Sequence, residues 1–302
     1  MYRLLIRPIL FRIDPEKAHH ITLCFLKIIC KIPFLSRLLK NIYYLEHPAL
    51  HKEIFGVKFP NPVGLAAGFD KNGEYIKELS NFGFGFIEIG TITPEPQVGN
   101  PKKRIFRLVN DQSIINRMGI NNDGNEICVD RLKKHNSQLI IGGNIGKNTT
   151  TDNNNAASDY INNFKKLHDY VDYFVLNISC PNVSNFTKLQ DVDFLKKLIP
   201  ELKKINATKA KTKPILIKIS PDLNTAQLND TIELILEEKL DGIIATNTTT
   251  NRYDLNTSDN LLEEIGNGGL SGKPLKNKST EIIRTIAEKT NKTIPIIGVG
   301  GI

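Results

Sequence analysis

The chain has 302 residues, which suits one α/β barrel of about 250 residues better than a small sandwich, and its apolar fraction of 40% is enough for a large core. The formal net charge of +8 is concentrated at the start, where residues 1–40 hold eight Lys and Arg against two acids, a net of +6. Basic charge on a short apolar segment argues against nucleic-acid binding and favours an anionic membrane surface. A solvated basic face is the alternative.

The cysteine pattern excludes the common metal and redox motifs. The chain has four cysteines and no C-x-x-C pair, so we expect no metal site and no redox dithiol. So few cysteines in a chain of this length favour a reducing compartment. No apolar run reaches the roughly 18 residues of a membrane span, and Arg7, Pro8 and Arg12 interrupt the region where a signal peptide would need its apolar core.

Residues 1–45 are predicted to be helical. Residues 14–16 (Asp-Pro-Glu) are typical of a helix start, with a capping acid and a proline in the first turn. Residues 21–30 are apolar on nearly every face, Pro33 ends that helix, and a second helix is predicted over 34–45. We therefore expect a two-helix module that associates with a membrane. The alternative is that these helices only cover one end of a barrel.

From residue 54 onward, short apolar runs alternate with amphipathic stretches. Strands are predicted over residues 62–67, 85–92, 139–145, 173–179, 214–220, 242–247 and 293–299, and helices over 72–81, 156–170, 192–206, 225–239 and 278–290. Such alternation is typical of a parallel sheet, and strands that are apolar on both faces fit burial on both sides. Residues 46–302 are thus predicted to form an α/β fold, the (β/α)8 TIM barrel, with strand 8 and the last helices missing from this chain.

Two polar residues interrupt strands that should be buried. Lys218 lies within an apolar strand, and a buried ammonium group needs an anion, either a carboxylate or a bound cofactor. Asn177 poses the same problem for an amide. A buried pair between Lys218 and Glu88 would satisfy the lysine without any ligand. Because the carboxyl ends of barrel strands meet at one edge, several polar interruptions there favour a shared ligand site.

Glycine-rich segments follow the sixth and seventh predicted strands, at residues 266–272 and 298–301. Barrel phosphate sites commonly use this corner, where backbone N–H groups approach the anion. Ordinary loops or tight turns are the alternative for each segment.

Cys180 follows the fourth predicted strand and is a candidate general base or nucleophile, with a purely structural cysteine as the alternative. The nearby amides of Asn177, Asn182 and Asn247 come without a Ser–His–Asp arrangement. This set favours binding of a flat, amide-rich ring over hydrolysis.

Nine segments spread over the chain match one enzyme family in order. They are residues 14–19 (DPEKAH), 61–71 (NPVGLAAGFDK), 90–94 (GTITP), 104–108 (RIFRL), 115–119 (INRMG), 144–148 (NIGKN), 177–182 (NISCPN), 245–249 (ATNTT) and 268–274 (GGLSGKP). Through them the chain resembles the class 2 dihydroorotate dehydrogenases, the membrane-associated, quinone-linked type. The resemblance implies oxidation of (S)-dihydroorotate to orotate through FMN, with a membrane quinone as electron acceptor, in de novo UMP synthesis. It also implies a peripheral location on the cytoplasmic face of the cell membrane.

The resemblance also implies site residues by motif position. FMN would contact Ala67, Gly68, Thr91, Asn144, Asn177, Lys218, Thr246, Gly272 and Gly301. Dihydroorotate would contact Lys71, Asn116, Arg117, Met118, Gly119, Ile120, Asn177, Asn182, Asn247 and Thr248. Cys180 would be the catalytic base, and His19 and Arg107 would line the quinone site.

Two features depart from the family pattern. Many class 2 enzymes carry serine at the position of Cys180, whereas cysteine is the usual base of the soluble class 1 enzymes. The family also supplies a tyrosine and a Ser/Thr loop for the FMN phosphate from a segment beyond residue 302. The alternatives are a class 1 enzyme that uses fumarate or NAD, and a non-catalytic ligand-binding barrel.

Deleting residues 1–45 would distinguish class 2 from class 1. In a class 2 enzyme the deletion is expected to abolish quinone reduction and to leave dye-linked oxidation intact.

Overall fold

This computed structural model describes residues 2–135, 138–178 and 192–302 of the chain, and most of them lie in helices or strands. The α-helices are α1 (Arg7–Arg12), α2 (Pro15–Cys30), α3 (Pro33–Tyr43), α4 (Ile76–Leu79), α5 (Gly124–Lys133), α6 (Ala156–Leu167), α7 (Val192–Ala207), α8 (Thr225–Glu237), α9 (Asp259–Ile265) and α10 (Lys276–Lys289). The strands are β1 (Lys52–Ile54), β2 (Val57–Phe59), β3 (Gly64–Leu65), β4 (Phe86–Ile92), β5 (Ile105–Leu108), β6 (Ser113–Asn116), β7 (Ile140–Ile145), β8 (Tyr173–Asn177), β9 (Ile215–Ile219), β10 (Gly242–Ala245), β11 (Gly269–Gly272) and β12 (Ile296–Gly298).

The described residues form a curled sheet of seven parallel strands in the order β3, β4, β7, β8, β9, β10 and β12. Each strand lies beside the next of the set along the chain, as in the wall of a β/α barrel. Strands β7 to β10 are buried at every position, because helices cover one face and side chains fill the other. The predicted α/β barrel class is confirmed, and all seven predicted strands are present, although most are shorter than predicted.

Side chains inside the barrel form two layers, because alternate residues of a strand point to the same face. The lower layer is apolar and consists of Phe59, Phe86, Ile140, Tyr173, Val175, Leu216 and Ile244. Glu88, Asn177 and Lys218 each follow a member of this layer by two residues. The period of two therefore directs these polar side chains inward, one layer above the apolar side chains.

A second, antiparallel sheet of β5, β6 and β11 lies at the carboxyl end of the barrel. The sequence did not predict it, since its strands are only four residues long and β11 lies in the glycine-rich segment 266–272. Leu108, Ile115 and Leu270 are buried within it together with Ile265 of α9. The segment predicted as a possible loop is therefore partly a strand.

One helix is shorter than predicted, and another was not named from the sequence. The helix expected over residues 72–81 begins only at Ile76, as the single α-helical turn α4, and continues as a 3-10 helix (Ser80–Phe82). It begins late because Gly73 has a positive φ of 62° and the Asp70 carboxylate accepts hydrogen bonds from the amides of Glu74 and Tyr75. This arrangement makes a turn where the helix was expected to begin. Helix α5 was missed, because its apolar face is small and is supplied mainly by Cys128, Val129 and Leu132.

The N-terminal helices lie against the barrel and leave apolar side chains exposed. Helix α2 begins as predicted, with the Asp14 carboxylate accepting from the amides of Glu16 and Lys17 at 3.1 Å each. The large exposed apolar residues of this region are Tyr2, Leu4, Leu5, Ile6, Ile9, Phe11, Ile21, Phe25, Ile28, Ile32, Phe34, Leu38, Ile42, Tyr43 and Leu45. Among the helices of the described ranges, none combines the length and apolar character needed to cross a bilayer.

Candidate active site

A chain of hydrogen bonds joins Glu88 to four of the predicted polar residues, which come from strands β4, β7 and β8 and from the segment after β10. The Asn247 amide donates to Asn177 Oδ1 at 3.2 Å, and Asn177 Nδ2 donates to Thr91 Oγ1 at 2.7 Å. The Thr91 hydroxyl donates to Asn144 Oδ1 at 2.6 Å, and Asn144 Nδ2 donates to Glu88 Oε1 at 2.8 Å. Each side chain in this network is oriented by its neighbours, and such fully hydrogen-bonded networks are rigid.

Lys218 lies at the end of this chain. Its Nζ is 3.8 Å from Glu88 Oε1, and the two side chains are only 8% and 2% exposed. Burial raises the pKa of Glu88, and the charge of Lys218 and the hydrogen bond from Asn144 only partly offset that rise. The pair with Glu88 that the sequence left open is therefore present. This ion pair is part of the predicted site, because Asn144 bonds to Glu88 and is linked through Thr91 to Asn177.

A cavity of about 980 Å³ opens beside this network, between the outer strands β3 and β12. Its lining extends from Ile54, Phe55 and Phe59 at the lower end of the barrel to Ala66, Glu88, Lys273, Lys276 and residues 298–301 at the carboxyl end. Of the predicted FMN contacts, Gly272 and Gly301 line this cavity. The predicted residues Ala67 and Gly68 directly follow Ala66, and the amide of Gly68 donates to the carbonyl of Gly90 at 3.0 Å.

The two glycine-rich segments meet at one corner of the cavity, beside the start of α10. Gly272 and Gly301 have φ angles of 99° and 76°, and a Cβ would lie 2.5 Å from the Gln112 carbonyl oxygen or 2.6 Å from Lys276 Cβ. Only glycine allows this close approach. Backbone amides, a helix N-terminus and two lysines, Lys273 and Lys276, are chemically suited to a phosphate group.

Lys71 and the loop of residues 116–120 (the substrate loop, named after its predicted role) border the site on another side. Lys71 Nζ donates to Asn121 Oδ1 at 2.6 Å. Asn121 was not among the predicted residues, although the run of asparagines that follows the substrate loop could have indicated it. Asn116 Nδ2 donates to the Gly269 carbonyl at 3.4 Å. The Arg117 guanidinium donates to the carbonyl oxygen of Ile265 and lies over the Phe106 ring at 4.5 Å, so backbone contacts and a ring occupy it.

The remaining predicted ligand residues lie at or beyond the end of β10. Thr246 is buried, its amide donates to the Val299 carbonyl at 2.7 Å, and its hydroxyl donates to the Asn247 carbonyl at 2.9 Å. The Thr248 amide donates to Asn247 Oδ1 at 2.9 Å. Cys180 and Asn182 lie outside the described residues.

His19 and Arg107 lie where the N-terminal helices meet the barrel. The His19 ring packs edge-on against Phe69 with centroids 4.9 Å apart. Burial and the charge of His20 lower the pKa of His19. Arg107 Nη1 donates to the Ile13 carbonyl at 2.8 Å, and its guanidinium lies 4.7 Å from the centre of the Phe11 ring. Phe69 lies between Gly68, a predicted flavin contact, and Lys71, a predicted substrate contact. His19 therefore packs against the same turn that holds both predicted contacts.

Comparisons with known proteins agree on one family. A family model described as dihydroorotate dehydrogenase matches residues 49–302. A dihydroorotate dehydrogenase (quinone) from Christiangramia forsetii is 55% identical over 302 residues, which are 100% of this chain and 87% of that protein. A protein of the same name from Acinetobacter baylyi is 45% identical over 304 residues, which cover 99% of this chain and 87% of that protein.

A solved structure supports the same assignment. The dihydroorotate dehydrogenase of Eimeria tenella in complex with ferulenol has a TM-score of 0.84 and 36% sequence identity, over 96% of this chain and 80% of that one. The family match covers the strands, the cavity and the hydrogen-bonded network described above. The chain belongs to the dihydroorotate dehydrogenase family.

Proposed function

We propose that this protein is a quinone-dependent dihydroorotate dehydrogenase, which oxidises (S)-dihydroorotate to orotate in de novo pyrimidine synthesis. The observation that carries the proposal is the hydrogen-bonded chain of side chains from Asn247 to Glu88 inside the barrel, with Lys218 at its end. A barrel interior that is apolar below and polar above is suited to a planar ring with many polar edges.

FMN is the cofactor that the residues fit. The polar layer would hold the ring system through Thr91, Asn144, Asn177 and Lys218, with Ala67, Gly68 and Thr246 around it. The glycine corner at Gly272 and Gly301, with Lys273 and Lys276 beside it, would hold the phosphate. When bound there, FMN supplies a hydride acceptor at its N5 atom. The cation of Lys218 would stabilise negative charge that develops near it.

The substrate would lie between this layer and the substrate loop. Asn116, Arg117, Met118, Gly119 and Ile120 would surround it, with Lys71 opposite its carboxylate and the amides of Asn177, Asn182 and Asn247 and the hydroxyl of Thr248 on its ring. These groups would fix the approach geometry of C6. Cys180 would take the proton from C5 as general base. A free thiol has a pKa of about 8.5, so we expect the rate to rise with pH toward that value.

The N-terminal helices would connect this site to a membrane. We infer that residues 1–45 form a module that binds the cytoplasmic face of the cell membrane peripherally, with residues 46–302 as the catalytic barrel. The exposed apolar side chains of α2 and α3 and the net charge of +6 over residues 1–40 support this inference. His19 and Arg107 would border the path of the quinone, since both lie between these helices and the barrel.

The test is dihydroorotate-dependent reduction of a quinone, fumarate, NAD and an artificial dye by the purified protein. The proposal expects turnover with the quinone and the dye and none with fumarate or NAD. Reduction of fumarate or NAD would indicate the soluble class instead. Absence of any bound yellow chromophore, together with no turnover after FMN is added, would favour a non-catalytic barrel.

The role of Cys180 has its own measurement. We expect the Cys180→Ala variant to slow flavin reduction by dihydroorotate by about 10²- to 10⁴-fold, the usual contribution of a general base. Stopped-flow absorbance of the flavin would measure it. An unchanged rate would assign the base to another group.

A further inference from the structure

A buried ion pair connects helix α2 to the barrel. Arg104 Nη2 donates to Glu16 Oε1 at 2.7 Å, and Arg104 Nε donates to Glu16 Oε2 at 3.1 Å. The two side chains are 7% and 6% exposed. Burial raises the pKa of Glu16, but the hydrogen bond and charge of Arg104 outweigh this, so the pKa is lowered and the carboxylate stays ionised. Bidentate pairs of this kind have strong geometric specificity.

The same guanidinium also shapes the loop of residues 97–104 (the bracing loop). Arg104 Nη1 donates to the carbonyls of Val98 and Asn100 at 2.7 and 2.9 Å. Three nitrogens of one side chain are therefore used, two toward α2 and one toward its own loop. A planar guanidinium holds its donors in a rigid fork, so the position of Glu16 and the path of the bracing loop are linked.

The bracing loop in turn holds the substrate loop. Asn100 Nδ2 donates to the Arg117 carbonyl at 2.9 Å, and the Asn100 amide donates to the Met118 carbonyl at 3.0 Å. The Arg117 amide donates to the Arg104 carbonyl at 2.9 Å.

The two loops are also packed closely and bonded further along. A Cβ on Gly119 would lie 2.8 Å from Asn100, so the backbones are nearly in contact. Gln97 Nε2 donates to the carbonyl of Ile120 at 2.9 Å.

We propose that Arg104 is a positioning residue. The Glu16–Arg104 pair couples the packing of the N-terminal helices on the barrel to the conformation of the substrate loop. The inference rests on the proposed function for its substrate. Without Glu16, Arg104 would be a buried cation that has lost its carboxylate and would move toward water, releasing the carbonyls of Val98 and Asn100. The substrate loop would then lose its bracing, and dihydroorotate would bind less tightly.

The coupling changes one expectation drawn from the sequence. Deleting residues 1–45 was expected to leave dye-linked oxidation intact, on the assumption that the helices serve only the quinone. Because Glu16 would be lost with them, dye-linked oxidation should instead need a higher concentration of dihydroorotate. The N-terminal helices would thus affect both half-reactions.

The test compares the Glu16→Gln variant with a matched Lys27→Gln control in the dye-linked assay, which does not involve the quinone. Lys27 lies on the same helix and pairs with Glu74 of the barrel at 3.2 Å, away from the bracing loop. We expect Glu16→Gln to raise the KM for dihydroorotate about tenfold, equivalent to about 1.4 kcal/mol, with kcat within about twofold. We expect Lys27→Gln to leave both constants unchanged.

A second readout follows the loop itself. Hydrogen exchange of the amides in residues 116–120, Arg117 above all, should accelerate in Glu16→Gln and not in Lys27→Gln. If Glu16→Gln does not fold, the Glu16→Asp variant takes its place with a smaller shift of the same sign. An unchanged KM, or a changed KM without faster exchange in the loop, would overturn the proposal. If the unmodified protein oxidises no dihydroorotate, the proposed function fails, while the exchange measurement still decides the coupling.

Discussion

At the scale of single residues, the barrel interior contains charges that burial alone would not permit. Lys218 and Glu88 lie within 3.8 Å of each other, and Asn144 donates to the same oxygen that faces the lysine. An ionised group in such a place needs a counter-charge and hydrogen bonds. A single lysine in an apolar strand therefore correctly indicated a buried anionic partner. A carboxylate partner and a bound ligand are compatible, because Lys218 can contact both.

Replacing the lysine tests its proposed contact with the flavin. We expect Lys218→Met to weaken FMN binding at least tenfold, because a cation that would donate hydrogen bonds to the electron-rich edge of the ring is lost and Glu88 remains buried. Quenching of FMN fluorescence on titration into the apoprotein measures the affinity. Lys204→Met, which changes an exposed lysine in the last turn of α7, is the control. Equal FMN affinities of the two variants would contradict the contact.

His19 should make the stability depend on pH. Burial and the charge of His20 lower its pKa below the unfolded value of about 6.5. The unfolded chain therefore takes up the proton first, so the His19 contribution to stability is complete above the unfolded pKa and is lost as pH falls toward the folded one. Urea unfolding at pH 7.5 and pH 5.5 should show a shallower decline in His19→Gln than in the unmodified protein. Equal declines would show that His19 is not the responsible group.

At the scale of elements, the helices at the N-terminus differ from those around the barrel. Helices α6, α7 and α8 each bury an apolar stripe against the sheet, whereas α2 buries only Glu16, Ala18 and Leu23 among its described residues. A helix that is apolar all round was predicted to be buried or in lipid. Its apolar residues are mostly exposed in the folded chain, which is the arrangement that an interfacial helix needs.

Two exposed aromatic residues test membrane binding. We expect the double variant Phe25→Glu and Phe34→Glu to reduce co-sedimentation with anionic phospholipid vesicles more than tenfold, because burying a phenylalanine contributes roughly 2 kcal/mol. Dye-linked oxidation should continue. Tyr253→Glu changes an equally exposed aromatic residue of the barrel and should leave vesicle binding unchanged. Full vesicle binding by the double variant would contradict the interfacial role of α2 and α3.

Elements also show where prediction from sequence works and where it does not. The barrel strands were identified because short runs of apolar, often β-branched residues alternate with amphipathic helical stretches. The strands of the small sheet were missed, since residues 113–116 and 269–272 are short and partly polar and are stabilised by pairing with each other across the chain. Helix α4 fell short of its predicted length because Asp70 and Gly73 form a turn.

At the scale of the whole molecule, the amino-acid sequence alone determined the class of fold, the inward position of Lys218 and Asn177, and the family. These follow from local rules: a period of two in strands, apolar runs of fixed length, and motifs that lie within a few residues. Only the tertiary structure decided that Glu88 meets Lys218, that Lys71 meets Asn121, and that Glu16 meets Arg104. The last two pairs are separated by 50 and 88 residues, and no local pattern marks them as partners. Such contacts depend on the path of the chain between the partners, because burial and hydrogen-bond geometry are set only once the helices and the sheet have packed.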